Sequence, residues 1–442
     1  MSSRAPRPTK GAIGIDFGTT NSSIAYAGNS EGVQLATFPY LGVLTDSYRS
    51  LLYLQQVKEG GAKTLKSWTG PEGIEHYLAA DVKGRLIQSL KSFLTSRTLQ
   101  GTEVFGRRYA LEDLIARILR DLREKAEHQF GVGINAAVVG KPVHFAGAEK
   151  EEDDSFAEGR LRSAFELAGY DSVEFEMEPV AAAHYYESLL DHDELILIGD
   201  FGGGTSDFSL IHVGPSVRRR GRVLGDIVGN AGLGIAGDAF DAKIVRHLVS
   251  PALGAGSHLR SLDKILTVPN WVYIKLERWH HLSLLRAKDV LDMLKGVHAQ
   301  SLEPEKIAAL IHFIKEDLGF HLHRAVQSVK CDLSNHAVAT FRFSDGFVDL
   351  ESTVKRSDFE EWISEELEQI AGCVDSLLRS SGVAPRDVDM VFLTGGSSFV
   401  PAVRRIFATR FGEKRIRGGN EFTSVARGLA LKAIDSRLAS RR

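Results

Sequence analysis

Two stretches of this chain share one pattern of apolar and polar positions. In residues 11–28 an apolar run, Ala12 to Ile15, meets Asp16. A glycine and small polar residues follow (Gly18, Thr19, Thr20, Asn21), and apolar alternation then resumes. That order predicts strand, tight turn, strand. Residues 194–213 repeat it: Leu195 to Ile198, then Asp200, Gly202, Gly203, Gly204, Thr205, Asp207 and a second strand. Asp16 and Asp200 lie 184 positions apart, which makes an internal duplication plausible, each copy heading one lobe. Elsewhere the period changes to that of helices. Leu111, Leu114, Ile115, Ile118, Leu119 and Leu122 predict an amphipathic helix over 111–129. A strand is expected at 134–139, with a loop at Gly140-Lys141-Pro142. The acidic run Glu149 to Asp154 reads as a solvated loop, since like charges repel. Residues 357–381 read as one helix, with Ser357 as N-cap, Glu360 completing a capping box and Gly382 as the stop. Residues 388–407 read as strand, glycine turn and helix, with Pro401 in the first helical turn. Strands alternating with helices predict an α/β fold, with mixed sheets covered by helices.

Composition narrows the class. The 442 residues are too many for one ordinary core. Hydrophobic residues at 43%, charged residues at 25% and a net charge of −3 are ordinary for a soluble domain. They do not favour nucleic acid or an anionic membrane as partner. The two cysteines, Cys331 and Cys373, lack metal-ligand spacing and fit a reducing compartment. No run of 18 apolar residues occurs, so no transmembrane helix is expected. Residues 1–10 read as a loose tail, and the expected location is the cytoplasm.

The two glycine turns carry the chemistry. A polyphosphate needs many donors close together, and glycines let backbone N–H groups approach it. Threonine and serine hydroxyls add more donors. An aspartate at the end of a buried strand is repelled by phosphate but can hold a hydrated Mg²⁺ that bridges the phosphates. Two such turns would give donors on both sides and two aspartates, Asp16 and Asp200, for one metal.

GIDFGTTNSSIA and GDFGGGTSDFS resemble the two phosphate loops of the actin, hexokinase and heat-shock superfamily, and most closely those of the 70-kilodalton heat-shock chaperones. MEPVAAAHYY (177–186), AGDAFDAKIV (236–245) and FLTGGSSFVP (392–401) resemble further motifs of that family, in family order. The resemblance spans roughly residues 11–435. It implies an actin-like ATPase fold of two lobes, each on a ribonuclease-H-like mixed sheet. Lobe I is expected at 11–192 with an inserted subdomain near 39–130. Lobe II is expected at 193–415 with an enlarged helical subdomain near 243–349, and 416–442 returns to lobe I. It also implies ATP or ADP with Mg²⁺, the metal held through water by Asp16 and Asp200. Phosphate contacts fall to Thr19, Thr20, Asn21 and the backbone of Gly202 to Thr205. Glu178 and Asp207 orient the attacking water, and Lys91 matches the phosphate-contacting lysine. Gly237, Asp238, Lys330, Ser334, Gly395, Gly396, Ser397 and Phe399 fall on the nucleoside side. On the residues alone, the alternative for Lys91 is a surface lysine on a helix, and for Glu178 a strand-end residue held by Pro179. No arginine finger is apparent. The implied activity is slow hydrolysis of ATP by in-line attack of water, with lobes that close on ATP and relax on ADP.

The chain also departs from that family. Two arginines that sandwich adenine are replaced by Cys331 and Phe399, and a family aspartate aligns with Phe422. The segment between Asp241 and Lys330 is longer than the family's. Its histidines (His280, His281, His312, His321, His323) read as packing rather than as a metal site, and Trp271 and Trp279 as lobe core or a partner surface. Arg218-Arg219-Arg220-Gly221-Arg222 reads as a solvated hairpin tip. No peptide-binding domain follows, so the chain is expected to be a truncated branch holding the nucleotide-binding domain. The functions that follow are a chaperone-like switch in protein folding or stress response, working with an unfolded client or a co-chaperone. The alternatives are a non-hydrolysing scaffold, an actin-like filament protein or a small-molecule kinase.

Overall fold

A computed structural model describes residues 11–28, 32–59, 62–80, 84–278, 282–418 and 423–439. The expectations for residues 1–10 and for Trp279, His280, His281 and Phe422 lie outside the described residues. The chain divides into two units. One runs through residue 236 and takes in 370–398 and the chain from 404 onward; the other holds 237–369 and 399–403.

The first unit contains two sheets of like design. In the first, β1 (Ala12–Phe17) turns back into β2 (Asn21–Ala27), and β3 (Val33–Leu35) and the short β4 (Tyr48–Arg49) both pair with β2. On the other side of β1 lie β5 (Ala136–Lys141) and β6 (Ser172–Met177), both parallel to it. The sheet order is β6-β5-β1-β2-β3. In the second sheet, β7 (Glu194–Phe201) turns into β8 (Ser206–Val213), and β9 (Ile227–Leu233) follows antiparallel. On the far side of β7 come β10 (Met390–Thr394) and β11 (Ile416–Gly418), both parallel. The order is β9-β8-β7-β10-β11, which matches β3-β2-β1-β5-β6 of the first sheet, with β4 an addition to the first. The duplication read from Asp16 and Asp200 is therefore a duplication of whole sheets.

Helices bury the apolar faces. The predicted amphipathic helix is α1 (Leu111–Phe130), and its Leu114, Ile115, Ile118, Leu119 and Leu122 join a core with Ile13, Ile15 and Phe17 of β1. Further helices of this unit include α2 (Glu151–Leu167), α3 (Glu178–Glu187) and, near the end of the chain, α6 (Ser424–Ala439). Between α3 and α6 the second unit supplies α4 (Gly237–Ile244) and α5 (Gly319–Asn335). A second core joins Val180 to Ala183 of α3, Val425, Leu429 and Ala433 of α6, Ala12 and Val138 of the first sheet, and Ile196, Ile198 and Phe392 of the second. The backbones of α3 and α6 approach so closely that a β-carbon on Gly428 would stand 1.7 Å from the Ala181 carbonyl oxygen.

Three local expectations need correction. The acidic run is not a loop: Glu151 to Asp154 form the first turn of α2, where the helix dipole favours negative charge. Asp154 also accepts the Phe145 backbone N–H at 2.7 Å. The helix expected at 357–381 is two helices, Arg356–Trp362 and Ser364–Ser380, and Ser357 does not cap. The N-cap is Lys355, two residues earlier, and the side chain of Arg356, already helical, donates to the Leu333 carbonyl at 2.7 Å. The stop at Gly382 stands, with φ of +65°. The basic run is no hairpin tip. Pro215 opens a short helix, Pro215–Arg220. Arg220 then pairs with Asp226 at 2.9 Å, and Arg222 with Glu187 at 2.8 Å.

Among the described residues no helix is long and apolar enough to cross a membrane. The contact between α3 and α6 gives a first prediction. Gly428→Ala must push two helix backbones apart, so it should lower the unfolding free energy by about 2–3 kcal/mol in a denaturant titration. A cost near zero would mean that the helices are not packed as described.

Candidate functional site

The two turns that end β1 and β7 open beside one another. A β-carbon built on Gly204 would lie 3.7 Å from Thr19 Oγ1, 3.9 Å from Ser92 Oγ and 3.7 Å from Ala146 Cβ. The second turn is closed by the Gly202 N–H donating to the Thr205 carbonyl at 2.9 Å. The first is braced by the Ser50 N–H on the Thr20 carbonyl at 2.9 Å. Thr19, Thr20, Asn21, Gly203, Gly204 and Thr205 are all partly exposed.

Beneath the turns lies a cluster of charge. Glu178 is the first residue of α3, held at the end of β6 with Pro179 behind it, and is buried. Lys91, on a single 3₁₀ turn (Leu90–Phe93), is buried as well, and its Nζ lies 2.6 Å from Glu178 Oε1. It is thus no surface lysine. Asp200 and Asp207 are buried on β7 and β8 as direct cross-strand partners. Asp16 is half-buried at the end of β1. Asp207 Oδ1 accepts the Val143 N–H at 2.7 Å, and Thr205 also bonds its side chain.

Withdrawal from water raises Asp16 to about 7; the charge of Glu178 adds to this and Lys91 opposes it. Asp207 rises to about 7 for the same main reason, with Glu178 adding. Asp200 is pushed well up by burial, then by Glu178, Asp16 and Asp207. Burial pushes Lys91 down, but Glu178, Asp16 and Asp207 together outweigh it and hold the ammonium above its ordinary value. Four carboxylates therefore share one ammonium.

The third loop of this unit follows β10. Gly395 has φ of +84°, and a β-carbon there would stand 2.1 Å from the Phe201 carbonyl. Only glycine fits that approach to the end of β7. Ser397 is buried in the next turn, and Gly396 opens it. In the second unit, Gly237 and Asp238 open α4. Burial raises Asp238 to about 6, with Asp241 adding. Lys330 of α5 sits 2.6 Å from Asp241, and Ser334 Oγ bonds the Lys330 carbonyl at 3.0 Å. Phe399 is half exposed and Cys331 is exposed.

A family model for the Hsp70 protein matches residues 82–256 and 315–435. The chain belongs to the Hsp70 family. The chaperone protein DnaK from each of two strains of Thermus thermophilus is 25% identical over 438 residues, covering 96% of this chain and 60% of the relative. The chain thus spans 60% of the length of the curated relatives it matches. The fold is that of the family, the actin-like ATPase fold. The Hsp70 model passes over residues 257–314, inside the segment read as an enlarged insert.

The Hsp70 family binds ATP or ADP with Mg²⁺, and the charge of this site fits such a cation. Among the described residues no three acids converge closely enough to coordinate a metal directly. Asp16 and Asp200 suit a hydrated ion, held through its water shell. Their pKa values are raised first by burial and then by the neighbouring carboxylates, and a divalent cation would offset both. The sequence had pointed to both aspartates, but not to the Val143 N–H on Asp207. The loop expected at Gly140-Lys141-Pro142 starts later than read, since Gly140 and Lys141 belong to β5 and Val143 follows its end.

The raised pKa values predict a pH dependence. An acid whose folded pKa is raised destabilises the fold progressively as pH climbs from its unfolded value toward the folded one. For Asp16 that window runs from the ordinary value of 3.8 to about 7. The nucleotide-free Asp16→Asn variant should therefore gain stability relative to wild type as pH rises through this window. Chemical denaturation at several pH values measures it, and a difference independent of pH would contradict the cluster.

Proposed function

We propose that this chain binds Mg-ATP through its two hairpins, hydrolyses it slowly to ADP and phosphate, and acts as a nucleotide-driven, chaperone-like conformational switch. The observation that carries this reading is the juxtaposition of Thr19 with Gly204 over a buried Lys91, at the ends of the equivalent strands β1 and β7. The backbone of Gly202 to Thr205 and the side chains of Thr19, Thr20 and Asn21 bind the phosphates. Lys91 neutralises charge that develops on the γ-phosphate. Glu178 and Asp207 orient the attacking water, and Asp207 is held for this by Thr205 and the Val143 N–H. Asp16 and Asp200 would hold Mg²⁺ through its water shell, and the ion would supply further charge neutralisation. For the nucleoside side the family resemblance assigns Gly395, Gly396 and Ser397 of the first unit, and Gly237, Asp238, Lys330, Ser334 and Phe399 of the second. In this reading positioning does the catalysis and turnover is slow, as suits a switch. The chaperone name of its relatives supports work on other proteins; the reading places this in protein folding or stress response in the cytoplasm, with an unfolded client or a co-chaperone as partner.

A second reading, a scaffold that binds nucleotide without turnover, rests on Cys331. A thiol stands there in place of the cation that stacks on adenine, and Phe399 offers only one aromatic face. Single-turnover hydrolysis of Mg-ATP by wild type and by Asp200→Asn separates the two. Slow hydrolysis that falls about 100-fold or more in the variant supports the switch. ATP binding without hydrolysis in wild type supports the scaffold, and no binding in either protein sinks both readings.

A further inference from the structure

The notable charge outside the cluster is Arg49. It lies on β4, the two-residue strand that pairs antiparallel with β2, directly across from Asn21. Tyr48 fixes that strand from its other face. It is fully buried, its hydroxyl donates to Asp121, and next to it the Ser50 and Ser22 hydroxyls bond at 2.8 Å. Arg49 is thereby delivered to the same face as Asn21, and its Nη1 donates to Asn21 Oδ1 at 2.9 Å.

An arginine has donors and no acceptor. Bonded to it, the Asn21 amide must turn its oxygen toward the guanidinium. Its nitrogen, the only end that can donate to an anion, is then left for the turn that holds Thr19 and Thr20. A free asparagine would present oxygen or nitrogen with little preference, and the oxygen would repel a phosphate. We infer that Arg49 is a positioning residue that locks the Asn21 amide with its donor end toward the bound phosphates. This rests on the nucleotide reading above and adds to it. Arg49 acts through Asn21, and its own guanidinium is no finger on the γ-phosphate.

A double-mutant cycle tests this, with ATP and adenosine affinities measured by calorimetry on the full chain. Arg49→Met should weaken ATP about tenfold, the loss of one aimed hydrogen bond to an ionised group. Asn21→Ala should cost about the same. The double variant should be no weaker than Asn21→Ala alone. Arg49→Lys keeps a donor-only cation, so it should stay within about threefold of wild type; it also serves if Arg49→Met does not fold. Adenosine, which lacks phosphate, should bind all variants alike. Additive losses, an unchanged Arg49→Met, or equal losses for adenosine would each overturn the inference. If wild type binds ATP and the cycle is additive, this inference alone fails. If wild type binds no ATP, the nucleotide reading fails and takes this inference with it.

Discussion

The ion pair between Lys91 and Glu178 is the constraint around which the site is organised. A buried ammonium is costly unless a partner lies within hydrogen-bond reach, and here the two atoms stand 2.6 Å apart. The pair does not balance the space it occupies. Asp16, Asp200 and Asp207 add three carboxylates, raised first by withdrawal from water and then by the like charge of Glu178. A cluster of this kind is poorly suited to holding a fold together, since an apolar core of the same volume would do as well or better. It is well suited to receiving a cation together with a polyanion.

The scaffold explains how such a cluster can exist. Two sheets with the same strand order each end a central strand in an aspartate and a small-residue turn. Helices α3 and α6 share one core with both sheets, and α3 carries Glu178 at its first residue. The packing that fixes those helices therefore also fixes the acid that Lys91 answers. Gly428 links the two roles, because a larger residue there would disturb α3 itself.

Much of this was legible in the sequence, for physical reasons that differ from feature to feature. The hairpins could be read because apolar run, aspartate and glycine occur within a dozen residues of one another. The helix of Leu111 to Phe130 could be read because its period is local. Glu149 to Asp154 misled because the same charges that solvate a loop also stabilise the first turn of a helix. Ser357 misled because its capping pattern was overruled by Arg356 reaching Leu333 across the fold. Lys91 could not be settled as surface or site, since its partner lies 87 positions away. Arg49 carried no signal at all: its meaning depends on β4 lying across from Asn21, and the pairing of a two-residue strand leaves no periodicity to detect.

The central claim is that the two hairpins and the acid cluster form one site for a nucleotide together with a divalent cation. Calorimetric titration with ATP near neutral pH, in Mg²⁺ and in EDTA, and in buffers of different ionisation enthalpy, tests it most directly. The account predicts one ATP per chain, tighter binding with Mg²⁺, and release of protons as the crowded carboxylates ionise around the cation. Binding of equal strength in EDTA with no proton release, or no binding at all, would contradict it.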